Sequence, residues 1–267
     1  MEVIVGDSAQ DAACLAARLV AAQVADKPDS VLGLATGRTM EPVYACLVRF
    51  HRAAGLDFSR VRTFNLDEYV GVPSDHSESY QSFMQEHFFG NVNLNPANCR
   101  LPDGMAEDIP GECLRYEEAI RACGGIDLQL LGIGRSGHIG FNEPTSSLAS
   151  RTRIKTLTRE TVEQNSRFFG GPDKMPRHAL TMGVGTILEA RRCVMVVTGS
   201  EKARVLAQAV EGPVTSMVTA SALQWHPDCS VVVDPEASTE LTLADYYRWV
   251  YEHKPDWQHR EWTGDRS

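Results

Sequence analysis

Short apolar runs alternate along the chain with longer stretches in which apolar positions recur every three or four residues. Residues 3–5, 31–34, 61–64, 127–131, 193–197 and 230–233 are runs of strand length, rich in Val, Leu and Ile. Between them the helical period takes over. Ser8 is placed to cap a helix through Leu15, Leu19 and Val24. Further helices are predicted through Val43, Cys46, Leu47 and Phe50, over 79–89, over 110–123 ahead of Gly124-Gly125, over 201–210 and over 241–251. Strand, loop and helix in repeated order predict parallel strands joined by crossover helices. Residues 156–177 are weakly patterned and contain Gly170-Gly-Pro172 and Pro176, which suits a mobile lid and a surface excursion equally.

Composition narrows the classes. The 267 residues suit one α/β domain spanning 1–267, and 43% hydrophobic with 23% charged residues excludes a disordered or low-complexity chain. A formal charge of −9 argues against a nucleic-acid partner, whose phosphates need a basic face. It leaves room for one small phosphate in a local pocket. No apolar run is long enough for a membrane span, and the first residues do not read as a secretory signal. The seven cysteines are scattered and form no CxxC, which predicts free thiols in a reducing compartment, the cytoplasm, and no metal site.

Four predicted strand ends carry polar or glycine-rich loops, where open parallel sheets bind ligands. Thr36-Gly37-Arg38-Thr39 lies between a strand and a helix. Its backbone amides, hydroxyls and glycine suit a phosphate, although alone the motif reads more simply as a helix start. Lys202 follows a similar Thr-Gly-Ser turn, and Arg167 lies in the weakly patterned stretch. In the run from Gly132 to Pro144, three glycines precede His138, and Glu143 follows five residues on. A histidine on a tight turn, with a carboxylate near enough to fix its tautomer, points to proton transfer. Asp67 and Glu68 end the third predicted strand; only one should face a pocket, and periodicity does not choose between them.

Together these motifs resemble the glucosamine-6-phosphate deaminase (glucosamine-6-phosphate isomerase) family. The matching segments include Leu34-Ala-Thr-Gly-Arg-Thr39, Thr63-Phe-Asn-Leu-Asp-Glu-Tyr-Val-Gly71, Gly137-His-Ile-Gly-Phe-Asn-Glu-Pro144, Ser147-Leu-Ala-Ser-Arg-Thr-Arg153 and Asn165-Ser-Arg-Phe-Phe169, in collinear order over nearly the whole chain. The resemblance implies an open, doubly wound, mostly parallel Rossmann-like sheet with helices on both faces. It implies a cytoplasmic enzyme of amino-sugar catabolism that turns glucosamine 6-phosphate and water into fructose 6-phosphate and ammonia without cofactor or metal. Asp67 falls at the position of the proton-transfer base, His138 at that of the ring-opening acid/base, and Glu143 at that of its support. Residues 36–39, Arg167 and Lys202 fall at phosphate-holding positions, and 156–181 at the mobile lid.

Two departures stand out. Family members carry Asp or Asn two residues before the histidine; here it is Ser136, which brings no charge and shifts the burden to Glu143. The phosphate loop reads Gly-Arg-Thr-Met in place of Gly-Gly-Thr-Pro. Rival readings are a galactosamine-6-phosphate deaminase, a 6-phosphogluconolactonase, which shares the fold and a Gly-His loop but not Phe141-Asn-Glu-Pro144, and a non-catalytic sugar-phosphate sensor. Ser146, Ser147, Arg153, Lys155 and Thr156 match the regulated members of the family. They imply a homo-hexamer activated by N-acetylglucosamine 6-phosphate.

Overall fold

Each apolar run closes into a strand, and each stretch of helical period winds beside it. The computed structural model describes residues 1–264. In chain order the elements are β1 (Glu2–Val5), α1 (Ala9–Asp26), β2 (Val31–Leu34), α2 (Glu41–Ala54), β3 (Arg62–Asn65), β4 (Asp67–Tyr69), α3 (Tyr80–His87), β5 (Cys99–Arg100) and α4 (Ile109–Ala122). There follow β6 (Leu128–Leu131), β7 (Arg153–Thr156), α5 (Arg159–Asn165), β8 (His178–Thr181), α6 (Val184–Leu188), β9 (Arg192–Val197), α7 (Ala203–Val210), β10 (Cys229–Val233) and α8 (Ala244–His253). Ser8 caps α1 as predicted, its hydroxyl accepting the Asp11 N–H.

Seven strands form one parallel sheet in the order β1-β10-β9-β6-β2-β3-β5. β2, β6 and β10 are buried along their whole length, which is why they read as continuous apolar runs. From β2 the chain winds through β3 to β5; from β6 it winds the other way through β9 to β10. Right-handed crossovers therefore place helices on both faces, and the winding reverses between β2 and β6.

A second sheet was not legible. β4, β8 and β7 pair antiparallel in that order. Asp67 and Glu68 therefore do not end the third strand. Leu66 N–H still bonds Leu34 O at 2.9 Å, then the chain leaves the large sheet and Asp67 pairs with Thr181 on β8. The weakly patterned stretch is also ordered: Thr158 caps α5 by accepting the Thr161 N–H, and a single 3₁₀ turn follows over Ser166–Phe169. Tyr69, Val72, Phe141, Leu157, Val162 and Met175 form a small apolar cluster beneath it, apart from the main core.

The reading of all cysteines as free thiols is corrected. Cys14 and Cys46 form a disulfide with Cα atoms 5.6 Å apart, and Cys99, Cys113, Cys123, Cys193 and Cys229 are free. The two residues are 32 positions apart in sequence and meet only because α1 packs along α2.

Candidate active site

The reversal of winding between β2 and β6 leaves a crevice beyond their carboxyl ends, where open α/β sheets bind ligands. The loop after β2 carries residues 36–39, and the loop after β6 carries residues 132–143. They border a cleft of about 550 Å³ whose lining includes Thr36, Gly37, Arg38, Thr39, Asp67, His138, Arg167 and Lys202. Residues far apart in sequence thus share one wall-to-wall space, with acid/base groups and phosphate-suited groups together.

The histidine loop is shaped by its glycines. A side chain at Gly134 would place its Cβ 2.0 Å from His138 Nε2, so only glycine leaves the ring its place. Gly137 takes a φ of +81°, a conformation that favours glycine, and a Cβ there would press on Val218 and Val205 at 2.6 and 2.8 Å. On the far side of the ring, His138 Nδ1 lies 2.7 Å from Ser136 Oγ and 3.0 Å from Glu143 Oε2. Ser136 Oγ donates in turn to Glu143 Oε2 at 3.0 Å. Glu143 only accepts when ionised, so Nδ1 carries the proton and Nε2 is the ring nitrogen left for a ligand. Burial pushes the Glu143 carboxyl up, but the bonds and charge of His138, with the hydroxyls of Thr161 and Ser136, outweigh it and bring it down to about 2. Thr158, 3.1 Å from Glu143 Oε1, and Thr161 both donate to that oxygen. The excursion is thereby tied directly to the histidine's support.

Asp67 is 6% exposed and has its carboxyl pushed up to about 8, first by burial and then by the charge of Glu68. Gly140, at φ +54°, lets the β6 loop close on β8, since a Cβ there would stand 2.8 Å from Thr181 Oγ1 and 3.5 Å from Asp67 Oδ2. Glu68 faces away, into a hollow of about 780 Å³ that lies behind β4 and does not include His138. Tyr69 and Tyr80 line the cleft with their hydroxyls 3.2 Å apart, and Asn165 on α5 donates to Tyr69 Oη at 3.2 Å. Sequence reasoning gave no role to Tyr69, Tyr80, Thr158, Thr161 and Asn165; Tyr69 and Asn165 lie in segments that match the family, but what brings the five to the site is β4, the start of α3, and α5 with its cap.

At the other end, Gly37 takes a φ of +108° with open space where a side chain would be. No side chain caps the first turn of α2, so its amide end stays available to an anion. Lys202 is pushed down, first by burial and also by Arg135. Arg38 is exposed at the rim of the cleft. Its guanidinium lies 5.7 Å from the Phe168 ring centre, and Arg167 lies 4.8 Å from the same ring.

The residues matching the regulated type lie outside the cleft lining. Ser146 is buried and its Oγ has no hydrogen-bond partner among the described residues, while Ser147 is exposed. Arg153 donates to Asn142 Oδ1 at 2.9 Å and to Arg151 O at 3.1 Å. Along β7, Arg153 and Lys155 share the less exposed face and Thr156 turns to the other. Among the described residues, no cluster of three His, Cys, Asp or Glu side chains suits a metal, and no helix is long and apolar enough to cross a membrane.

A profile described as glucosamine-6-phosphate isomerases/6-phosphogluconolactonase matches residues 6–231. A glucosamine-6-phosphate deaminase of Arthrobacter sp. (strain FB24) is 52% identical, covering 97% of this chain and 99% of its own. One from Hahella chejuensis (strain KCTC 2396) is 50% identical over 94% of this chain and 95% of its own. Among solved structures, a monomeric glucosamine-6-phosphate deaminase superposes with a TM-score of 0.88 at 42% identity, covering 90% of this chain and 100% of that one. A 6-phosphogluconolactonase from Trypanosoma brucei shares the fold alone, with a TM-score of 0.70 at 19% identity over 90% of this chain and 98% of its own. With half its residues identical over almost its full length, the chain belongs to the glucosamine-6-phosphate deaminase family.

Proposed function

We propose that this enzyme converts glucosamine 6-phosphate and water into fructose 6-phosphate and ammonia. The observation that carries the reading is one cleft lined by a buried carboxylate and a positioned imidazole as well as by a phosphate loop with two further cations. The substrate phosphate sits on residues 36–39 at the amide end of α2, with Lys202 and Arg167 as counter-charges. His138 Nε2 exchanges a proton with the ring oxygen and opens the pyranose, and Ser136 and Glu143 hold the imidazole's other nitrogen. Asp67 then removes the proton from C2, next to the C1 aldehyde, and returns it to C1, while O1 takes up a proton and the nitrogen gives one up. The resulting imine at C2 adds water and expels ammonia, leaving the ketone. Before substrate enters, Asp67 holds its proton up to about pH 8. The substrate ammonium, placed beside it, favours the carboxylate the reaction needs.

The proposal extends to regulation and setting. Ser146, Ser147, Arg153, Lys155 and Thr156 form a second phosphate site for N-acetylglucosamine 6-phosphate in a cytoplasmic homo-hexamer. In favour stand, among the described residues, the unpartnered Ser146 hydroxyl and an Arg153 guanidinium whose bonds go to the neutral oxygens of Asn142 and Arg151. The monomeric solved relative stands against it. Light scattering that gives a hexamer, with sigmoidal kinetics made hyperbolic by that sugar phosphate, supports the extension; a monomer indifferent to it rejects the extension and leaves the reaction standing. The reaction itself is tested with glucosamine 6-phosphate deuterated at C2. Fructose 6-phosphate carrying part of the label at C1 is expected, and failure to form fructose 6-phosphate rejects the reading.

A further inference from the structure

Two nitrogen donors are aimed at the Cys14–Cys46 pair. Arg49 Nη2 lies 3.2 Å from Cys14 Sγ and 3.6 Å from Cys46 Sγ, and Gln10 Nε2 lies 3.3 and 3.5 Å from the same two atoms. A disulfide sulfur is a weak, uncharged acceptor and gains little from a guanidinium, whereas a thiolate gains much. Other cysteines have the opposite setting. Burial pushes the thiols of Cys99, Cys113 and Cys193 up, and that of Cys229 to about 12. Access is also unequal within the pair: Cys14 is partly exposed and Cys46 is buried. A small thiol therefore reaches one sulfur and not the other.

We infer that Cys14 and Cys46 form a reversible thiol–disulfide site, in exchange with a low-molecular-weight thiol and its disulfide, with Arg49 as its positioning cation. In reduction a thiolate RS⁻ attacks Cys14 Sγ, the Sγ–Sγ bond breaks, and Cys46 leaves as a thiolate facing Arg49 and Gln10. A second RS⁻ attacks the RS sulfur of the mixed disulfide, releasing the Cys14 thiolate and RSSR. Two electrons pass from two thiols to the protein, and oxidation by RSSR runs the same steps backwards. The consequence for the fold lies at α2, which begins two residues after Thr39. In the oxidised state the bond ties this helix, and the loop before it, to α1. The thiol chemistry stands on its own; only the relevance of that loop to a phosphate rests on the proposed function.

The full chain is equilibrated in glutathione buffers from fully reducing to fully oxidising, acid-quenched, unfolded and alkylated, and its thiols are counted by mass. The expected result is a single step between seven and five thiols, mapped to Cys14 and Cys46 and reversed by dithiothreitol. Arg49 is exposed, so Arg49→Met should fold, as a melting curve verifies, and exchange about tenfold more slowly. Hydrogen exchange across 41–54 should quicken on reduction. Seven thiols at every poise, or five at every poise, overturns the reversible site. An unchanged exchange rate in Arg49→Met overturns the role of the guanidinium, and unchanged amide exchange overturns the link to α2.

Discussion

Asp67 and Glu68 are neighbours on β4 that face opposite ways, Asp67 into the cleft with His138 and Glu68 into the hollow behind. Glu68 accepts the backbone N–H groups of Tyr69, Tyr80 and Gln81 at 2.9, 3.0 and 3.0 Å. Its carboxylate is thus occupied in holding the start of α3. Asp67 alone has the position of a base, and its burial carries a cost in stability that its neutral analogue would not.

Asp67→Asn is expected to lower turnover by about 10²–10⁴-fold, the usual range for losing a general base. It is also expected to stabilise the protein. The folded carboxyl is raised to about 8, so the native state binds more protons than the unfolded chain between the unfolded pKa, about 3.9, and 8. Stability therefore falls as pH rises through that window, and an amide avoids the loss. Thermal unfolding at pH 5 and pH 8.5 checks this: the variant's advantage in Tm should grow with pH. A variant less stable than the parent at pH 8.5 contradicts it.

Glu143 has the opposite sign. Its carboxyl is held down to about 2, so its contribution is full above the unfolded value, about 4.3, and is lost as pH falls towards 2. Glu143→Gln should cost on the order of 1–3 kcal/mol at pH 7, with the gap to the parent closing in acid. Urea titrations at pH 7 and pH 3.5 measure it, and a gap that widens in acid counts against the assignment.

His138→Gln should slow reaction of the closed pyranose more than reaction of the open-chain sugar, because the proposed mechanism assigns ring opening to Nε2 and leaves Asp67 for the later transfer. Presteady-state comparison of the two forms separates the steps. Equal slowing of both moves His138 to another step.

Ser136→Ala removes the 2.7 Å contact to Nδ1 but leaves Glu143 Oε2 at 3.0 Å from the same nitrogen. The loss in turnover should stay below about tenfold, one neutral hydrogen bond's worth. A loss as large as that of His138→Gln would make the hydroxyl a participant in proton transfer.

How much was legible follows from length of pattern. The long apolar runs of β2, β6, β9 and β10 and the capped helix α1 are visible because burial on both faces, or a sustained period, leaves a mark on the sequence. β4 has three residues and β7 alternates between half-buried and exposed, so neither reads as a strand. Without that second sheet, periodicity left the choice between Asp67 and Glu68 open and only the resemblance pointed to Asp67; Thr158 and Thr161, which α5 and its cap bring to the site, carried no signal of their own. The His138–Glu143 contact was legible because both partners sit in one short loop. The Cys14–Cys46 bond was not, because it depends on how α1 lies along α2.

The most direct test of the account is parallel incubation with glucosamine 6-phosphate, galactosamine 6-phosphate and 6-phosphogluconolactone, following ammonia, ketose phosphate and released acid. The account predicts ammonia and fructose 6-phosphate in equal amounts from glucosamine 6-phosphate, and no lactone hydrolysis above background. Ammonia from the galacto epimer alone, acid from the lactone, or binding of glucosamine 6-phosphate without any ammonia would contradict it.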